Sequence, residues 1–563
     1  MKRFIDNRIE RILMGAYNVK GIIKMIPVMA ILLLLVACKD DMKEVEKEEI
    51  IDESEEGAIN PTQVVEINTN TVVGPLYNFW STRPMINQTR FASSSFVESL
   101  EVIKPYVKSY NLVRVLGGRN DNMNTMYLGV DADGKIKVNF SGLISDLRAF
   151  MRTGFKPRLV LDNVPWEMSL PKVSDTYGNS KPPTDYDIWR QYINAFLQEL
   201  IDEFGMEEVK TWRFRVATEP NYTPAHWRGT MEEYFKHYDI TVDEVLKVIP
   251  DAIIGPGNML TEGLATYTTE LIDHCANGTN YATGGSGTRM SFFAVSYYEK
   301  IDENTVSFVE RLGEYRTGLD QYSQFSDIPF DIQEFGILRD ENRVRGISLV
   351  DATEFGASWY AAIADLAYEY RVTEIYDWGQ EIESSDLPQG RRHVTTMLLK
   401  MEDGSRLATS DQLKGHAGVI PVSKDGKLYL LAYNHSTTRN KIGGTTIFPK
   451  LEGDDISAST SWKMNEWTVD KQHGVMMHEL YKDLRNAGIS ENGSGRIYGN
   501  RPSDRFGDGW VDVLNANLAK YESLAELPQT VTDSTVTKAE NGSLTLKVDL
   551  EPHAVKLIEL IPN

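Results

Sequence analysis

The stretch "TWRFRVATEPNYTPAHW", residues 211–227, decides how the rest of the chain is read. A strand-like run ends on Glu219, Pro220 withdraws the next ladder donor, and Asn221, Tyr222, His226 and Trp227 follow within eight residues. A strand that stops on an acid and opens into a loop of amide and ring side chains is a functional loop carried on a rigid scaffold.

The same unit recurs on both sides. Upstream, "LISDLRAFM" has Leu143, Ile144, Leu147 and Met151 on one helical face, Gly154 stops it, and the strand Arg158–Leu161 runs out into Asp162, Asn163 and Trp166. Another helical pattern, Tyr186–Phe204, leads into the quoted strand. Downstream come "AIIGPGN", "SFFAVSYY", "FDIQEFG" and "EIYDWGQ", again separated by helical stretches. Strands joined through helices rather than hairpins make a parallel sheet. With "LYNFW" (Leu76–Trp80) as the first strand and "NLVRVLGG" (Asn111–Gly118) as the second, about eight strands are counted. The expected class is α/β, a (β/α)8 barrel. Past about residue 415 the pattern is all β, with short strands such as "KLYLLAYNHS" and "AVKLIEL", as in a β-sandwich; "VVEIN" (Val64–Asn68) is a further strand assignable to it. The expected division is 1–37 leader, 38–60 tether, 61–410 barrel and 411–563 sandwich.

Barrel enzymes carry their chemistry at the C-terminal ends of the strands. Glu219 has that position, and "PFDIQEFG" puts Glu334 there on another strand, 115 residues on, or three βα units of near forty residues. The two acids should face each other. Two such carboxyls are what hydrolysis of a glycosidic bond requires, one to protonate the leaving oxygen and one to attack or to activate water. Each signal has an ordinary explanation: Glu-Pro recurs at Glu551-Pro552, and Trp80, Trp166, Trp227 and Trp378, all at expected strand ends, are individually more often core than sugar platforms.

Composition narrows the ligand. Net charge is −22 with 10 Trp and 26 Tyr, which disfavours a nucleic acid and suits a small or neutral ligand stacked on rings. The nine His and two Cys show no metal spacing, and no phosphate loop follows a strand, so neither metal nor cofactor is expected. The glycine-rich "GTNYATGGSGTRM" before the sixth strand reads as a flexible connection or a lid. At the N-terminus, Lys20 and Lys24 precede the short apolar run Met25–Ala37, and "LVAC" resembles a lipobox, which implies cleavage before Cys38 and its lipidation. Residues 39–56 then carry ten acids and three bases, a solvated tether. Acids directly after such a cysteine resemble the surface-export signal of Bacteroidetes lipoproteins, which implies a lipid anchor in the outer membrane, facing outward, as the only membrane contact.

Glu-Pro ending the fourth strand and Glu ending the seventh resemble clan A of the glycoside hydrolases. "LVRVLGG", "GFKPRLVL" and "EPNYTPAHW" are more narrowly similar to family 39, which includes β-xylosidases and α-L-iduronidases. The resemblance implies a retaining mechanism with Glu219 as general acid/base and Glu334 as nucleophile. It implies that Tyr298 and Arg114 support Glu334, and that Trp378 floors the sugar. Two positions depart from it: Thr218 stands where the clan usually has an Asn that binds the sugar 2-hydroxyl, and Ser296 where the family commonly has His. Trp80, Trp166, Thr218, Asn221, His226 and Trp227 are the remaining substrate-side residues expected. Arg339, with Arg343 and Arg345, either meets an acidic or sulfated substrate or pairs with Asp340 and Glu341. The expected activity is cleavage of a plant or algal polysaccharide or its oligomers, with xylo-oligosaccharides and sulfated red-algal galactan as candidates. A glycan-binding lipoprotein without activity and a transglycosylase are the alternatives.

Overall fold

The computed structural model describes residues 60–80, 82–87, 107–118, 126–261, 265–301, 308–340, 352–377, 387, 390–438, 442–489 and 509–563. Eight parallel strands form the barrel: Thr82–Asn87, Ser109–Val113, Pro157–Leu161, Arg213–Val216, a fifth split into Ile253–Pro256 and Met259–Leu260, then Phe293–Ile301, Phe330–Asp340 and Val372–Asp377. Pairing runs from the fifth back to the first, on to the eighth, and through the seventh and sixth to Met259–Leu260, so the ring closes. The helices pack outside it for the reason their spacing predicts: Trp189, Tyr192, Ile193, Phe196, Leu197 and Leu200 of Tyr186–Phe204 are all fully buried. Asp185 caps that helix, and a capping box of Thr230 and Glu233 starts Met231–Val248, immediately after the quoted loop.

The first strand differs from expectation. Leu76–Trp80 is the crossing into the barrel, tied by Leu76 N to Gly404 O (2.7 Å), Asp403 N to Leu76 O (3.0 Å) and Ile375 N to Phe79 O (2.8 Å). Its apolar density comes from packing, since Leu76, Phe79 and Trp80 are all buried. The true strand, "TRPMIN", is polar and holds a proline, so it carries little strand signal.

The interior of the barrel is strongly polar. Near its base Arg158 pairs with Glu374 (Nη2 to Oε1, 2.9 Å), and Arg213 joins Glu374 (3.0 Å) to Asp331 (2.6 Å). One residue pair higher, Arg215 donates to Gln333 (2.8 Å), which also accepts from Asn111 (3.3 Å). The two-residue repeat of a strand places 213 and 215, and 331 and 333, on the same inward side.

Gln63–Pro75 belongs to the second domain. It lies between Ser405–Thr409, antiparallel, and Thr445–Glu452, parallel, within a continuous ten-stranded sheet. That sheet folds over its own core of Val65, Ile67, Val419, Leu430, Ile447 and Trp462, forming the sandwich. The sandwich therefore takes its first strand from before the barrel, and it resumes at Ser405 rather than after 410, because Ser405–Thr409 is the antiparallel partner that Gln63–Pro75 needs. Helix Glu354–Glu369 of the barrel docks it: Asp365 pairs with Arg406 and accepts from Tyr433 (2.8 Å), and Ser358 meets His435 (2.9 Å).

The glycine-rich loop is anchored rather than lid-like. Buried Asp239 accepts from Tyr281 N (2.8 Å), Thr288 (2.5 Å) and His274 (3.0 Å), and the loop precedes the sixth strand, away from the strand C-termini.

Candidate active site

Glu219 follows the fourth strand through a backbone in the left-handed region, with φ of 69° at Ala217 and 40° at Glu219. L-residues seldom adopt these values, and they cluster at functional sites. The turn aims a carboxyl inward, and it fits because Gly257, in the break between the two segments of the fifth strand, has no side chain: a Cβ there would stand 2.9 Å from Pro220 Cδ and 3.0 Å from Val216 O. Glu334 lies on the seventh strand where the register slips, so that Ser296 pairs with Glu334 although Val295 pairs with Ile332. Both carboxyls are buried, 5% and 3% exposed.

Their environments separate them. Burial, then the negative charge of Glu334, pushes the Glu219 carboxyl up to about 8, against the Ser296 hydroxyl and the charges of Arg215 and Arg114. Glu334 is also raised by burial, but Tyr298, Arg215, Arg114 and Asn258 oppose the shift. Tyr298 donates its phenol to Glu334 Oε2 at 2.7 Å. Oε1 of each glutamate has no hydrogen-bond partner among the described residues. One carboxyl thus holds a proton near neutrality while the other is equipped to lose its own, and each presents an uncommitted oxygen.

The loop residues divide by their contacts. His226 Nε2 is 3.4 Å from Glu219 Oε2; burial, then Arg114 and Arg215, holds its ring well below the usual imidazole range, so it is neutral. It stacks on Tyr177 at 4.3 Å and 15°, and the Arg114 guanidinium lies over the same Tyr177 ring, 4.9 Å from its centroid, so that Tyr177 contacts both the end of the second strand and the fourth loop. Tyr222, 39% exposed, tilts against His226 at the rim. Asn221 spends both amide groups on Leu260 (2.8 and 2.9 Å), tying its loop to the fifth strand. Trp227 donates to Thr230 O (3.0 Å) and packs on Tyr234 and His237, fastening the loop to the next helix. The Thr218 hydroxyl accepts from Arg215 (2.8 Å) and donates to Asp162 (2.7 Å). Trp166 is half-buried in a short 3-10 turn after the third strand. Trp80 is not at a strand's C-terminal end: it precedes the first strand, 3% exposed and edge-on to Phe79, because that strand starts later than expected. Trp378, Cys38, Arg343, Arg345 and the side chain of Arg339 lie outside the described residues.

Arg215, Asp162 and Tyr177 are site residues that sequence reasoning missed. Arg215 had a signal, a charge on the same inward side as Arg213 in a strand covered on both faces. Tyr177 had none, being one ring in the long loop between Leu161 and Tyr186.

A barrel with two such carboxyls at its mouth is a glycoside hydrolase. The sequence profile described as Glycosyl hydrolases family 39 matches residues 63–361, more than half of the chain, and the chain belongs to that family. Among curated relatives, an alpha-1,4-L-rhamnosidase of Formosa agariphila is 25% identical over 408 residues, 67% of this chain and 79% of the relative. A beta-xylosidase of Geobacillus stearothermophilus is 24% identical over 310 residues, 53% and 60% of the two chains. Of solved structures, a family 39 enzyme from Xanthomonas axonopodis pv. citri aligns with TM-score 0.63 at 14% identity, covering 90% of this chain and 98% of that one, which shows the shared fold.

Proposed function

We propose that this glycosidase works by double displacement with retention, Glu219 serving as general acid/base and Glu334 as nucleophile. The carrying observation is the contrast between the two acids, Glu219 protonated up to about pH 8 and Glu334 held by Tyr298. Glu219 gives its proton to the glycosidic oxygen as Glu334 attacks the anomeric carbon. The resulting ester is opened by water, whose proton returns to Glu219.

For the substrate we favour an oligosaccharide ending in an α-L-rhamnoside over a xyloside. The relative named as a rhamnosidase is matched over the larger share of both chains. Thr218 stands where the clan's 2-hydroxyl-binding Asn is usual, and its hydroxyl is committed to Arg215 and Asp162. The lipidated Cys38 and outward-facing membrane anchor remain part of this reading on the strength of "LVAC" and the acidic stretch after it; loss of labelled palmitate incorporation in Cys38→Ala is the expected result.

The test is sugar release by the full chain from 4-nitrophenyl α-L-rhamnoside and β-D-xyloside and from rhamnose-, xylose- and sulfated galactan-containing oligosaccharides, with Glu334→Gln in parallel. Release of a product with the anomeric configuration of its substrate, α from the α-L-rhamnoside, seen by proton NMR before mutarotation and lost in Glu334→Gln, supports the reading. An inverted product overturns retention, and binding without release overturns catalysis. Glycosyl transfer to sugar in preference to water identifies a transglycosylase.

A further inference from the structure

The residue before each proposed catalytic glutamate is held by the same side chain. Thr218 precedes Glu219 and Gln333 precedes Glu334. The guanidinium of Arg215, 2% exposed, reaches both: Nη2 to Thr218 Oγ1 at 2.8 Å and Nη1 to Gln333 Oε1 at 2.8 Å, with Nε on Ala217 O at 3.2 Å. From Thr218 the chain of bonds continues to Asp162 Oδ2 (2.7 Å), and Asp162 Oδ1 accepts the backbone N–H of Arg114 (2.6 Å). One hydrogen-bonded belt thus runs from within the seventh strand across the ends of the fourth, third and second strands, beside the two carboxyls.

We propose that Arg215 is a positioning residue shared by the two glutamates, fixing their separation through Thr218 and Gln333 while its charge serves both. The proposal rests on the double-displacement reading above. A planar fork suits this task because three of its N–H groups fix direction as well as distance, whereas an ammonium supplies charge without orientation. The neighbouring backbone makes such a brace necessary: Ala217 and Glu219 both have positive φ, so the segment carrying the acid has no regular ladder to hold it. The charged and titratable groups facing the pair are Arg114, Asp162, Arg215, His226, Tyr298 and Tyr376; the guanidiniums of Arg215 and Arg114 both favour the ionised form of each glutamate. Two groups placed within a few tenths of an ångström of their productive geometry are worth far more than the same groups held loosely.

The experiment compares Arg215→Met, Arg215→Lys and Thr218→Val in the full chain, with Glu219→Gln and Glu334→Gln as references. Carboxyl 13C NMR of glutamate-labelled protein follows the two acids directly, assigned by the reference variants, and kcat, KM and pH profiles are taken on the 4-nitrophenyl glycoside cleaved. Arg215→Met is expected to move both carboxyl titrations to higher pH and to lower kcat about 100-fold with KM within about threefold. Arg215→Lys should return the titrations toward the parent but leave kcat low. Thr218→Val should leave the titrations in place and lower kcat about tenfold. Parent-like titrations and kcat in Arg215→Met overturn the proposal, and full recovery of kcat in Arg215→Lys overturns its two-armed geometry. Should Arg215→Met fail to fold, parent kcat in both Arg215→Lys and Thr218→Val is overturning. Full activity in Glu334→Gln sinks the catalytic assignment instead, while the NMR titrations still decide whether Arg215 governs the pair.

Discussion

At Glu219, burial and a neighbouring negative charge outweigh two arginines and a serine hydroxyl, and the acid keeps its proton to about pH 8. In the proposed mechanism that proton is the one delivered, so kcat/KM should fall as pH rises through about 8, and on the acid side as Glu334 takes up its proton, above the ordinary carboxylate range. The two limbs belong to the interacting pair. Stability follows the same sign. A carboxyl raised on folding contributes fully below its unfolded value near 4.5, and that contribution is lost as pH rises through about 8. Glu219→Gln should therefore melt above the parent at pH 9, with the gap narrowing steadily as pH falls and closing only near 4.5, as scanning calorimetry would read. Its activity should drop about 10²- to 10⁴-fold on a poor leaving group and much less on 2,4-dinitrophenol. Glu334→Gln should lose at least about 10⁴-fold on every substrate, measured as initial rates.

Among the elements, the strands that sequence placed well were those with an apolar run ending in a turn or polar residue, such as Arg213–Val216 before Glu219; the start of the seventh was placed too, but it does not end at Glu334 and Gly336, running on to Asp340 because residues 336–340 still pair with the sixth strand. The first strand was misplaced because apolar density marks burial and not pairing: "LYNFW" is buried as a crossing, and "TRPMIN" pairs on both sides despite its proline. The positions of Glu219, Glu334 and Tyr298 were legible because each ends or follows a recognisable run. Arg215 was overlooked although a second charge two residues from Arg213 marked it, because alternation distinguishes a wet face from a dry one and a barrel strand has no wet face. The ionic layer of Arg158, Arg213, Asp331 and Glu374 was hidden for the same reason. Removing one member leaves an uncompensated charge, so Asp331→Leu should cost about 3–5 kcal/mol in urea unfolding. Thr230→Ala, which removes the cap behind the Trp227 loop, should cost about 1 kcal/mol by the same measurement.

On the scale of the whole molecule, the barrel is inserted between the first sandwich strand and the rest of the sandwich. Gln63–Pro75 is an interior strand of the sheet, with Val65 and Ile67 in its core. A chain beginning at Leu76 should therefore lose the cooperative thermal transition shown by a chain beginning at Asn60, and should be cut rapidly by protease within 405–563. This arrangement also bears on how the protein is made. Gln63–Pro75 leaves the ribosome roughly 330 residues ahead of Ser405–Thr409, its antiparallel neighbour, which at about 5–20 residues per second is a wait on the order of half a minute. Through most of that interval a thirteen-residue strand with two unsatisfied edges is present while the barrel strands, the last of them Val372–Asp377, are still being made. Val555–Pro562, paired on both sides within the same sheet, comes later still. The sandwich sheet can therefore be completed only after the barrel segment has been made, and slower translation between residues 82 and 405 is expected to lower the yield of folded protein, measured by expression with rare codons placed in that interval.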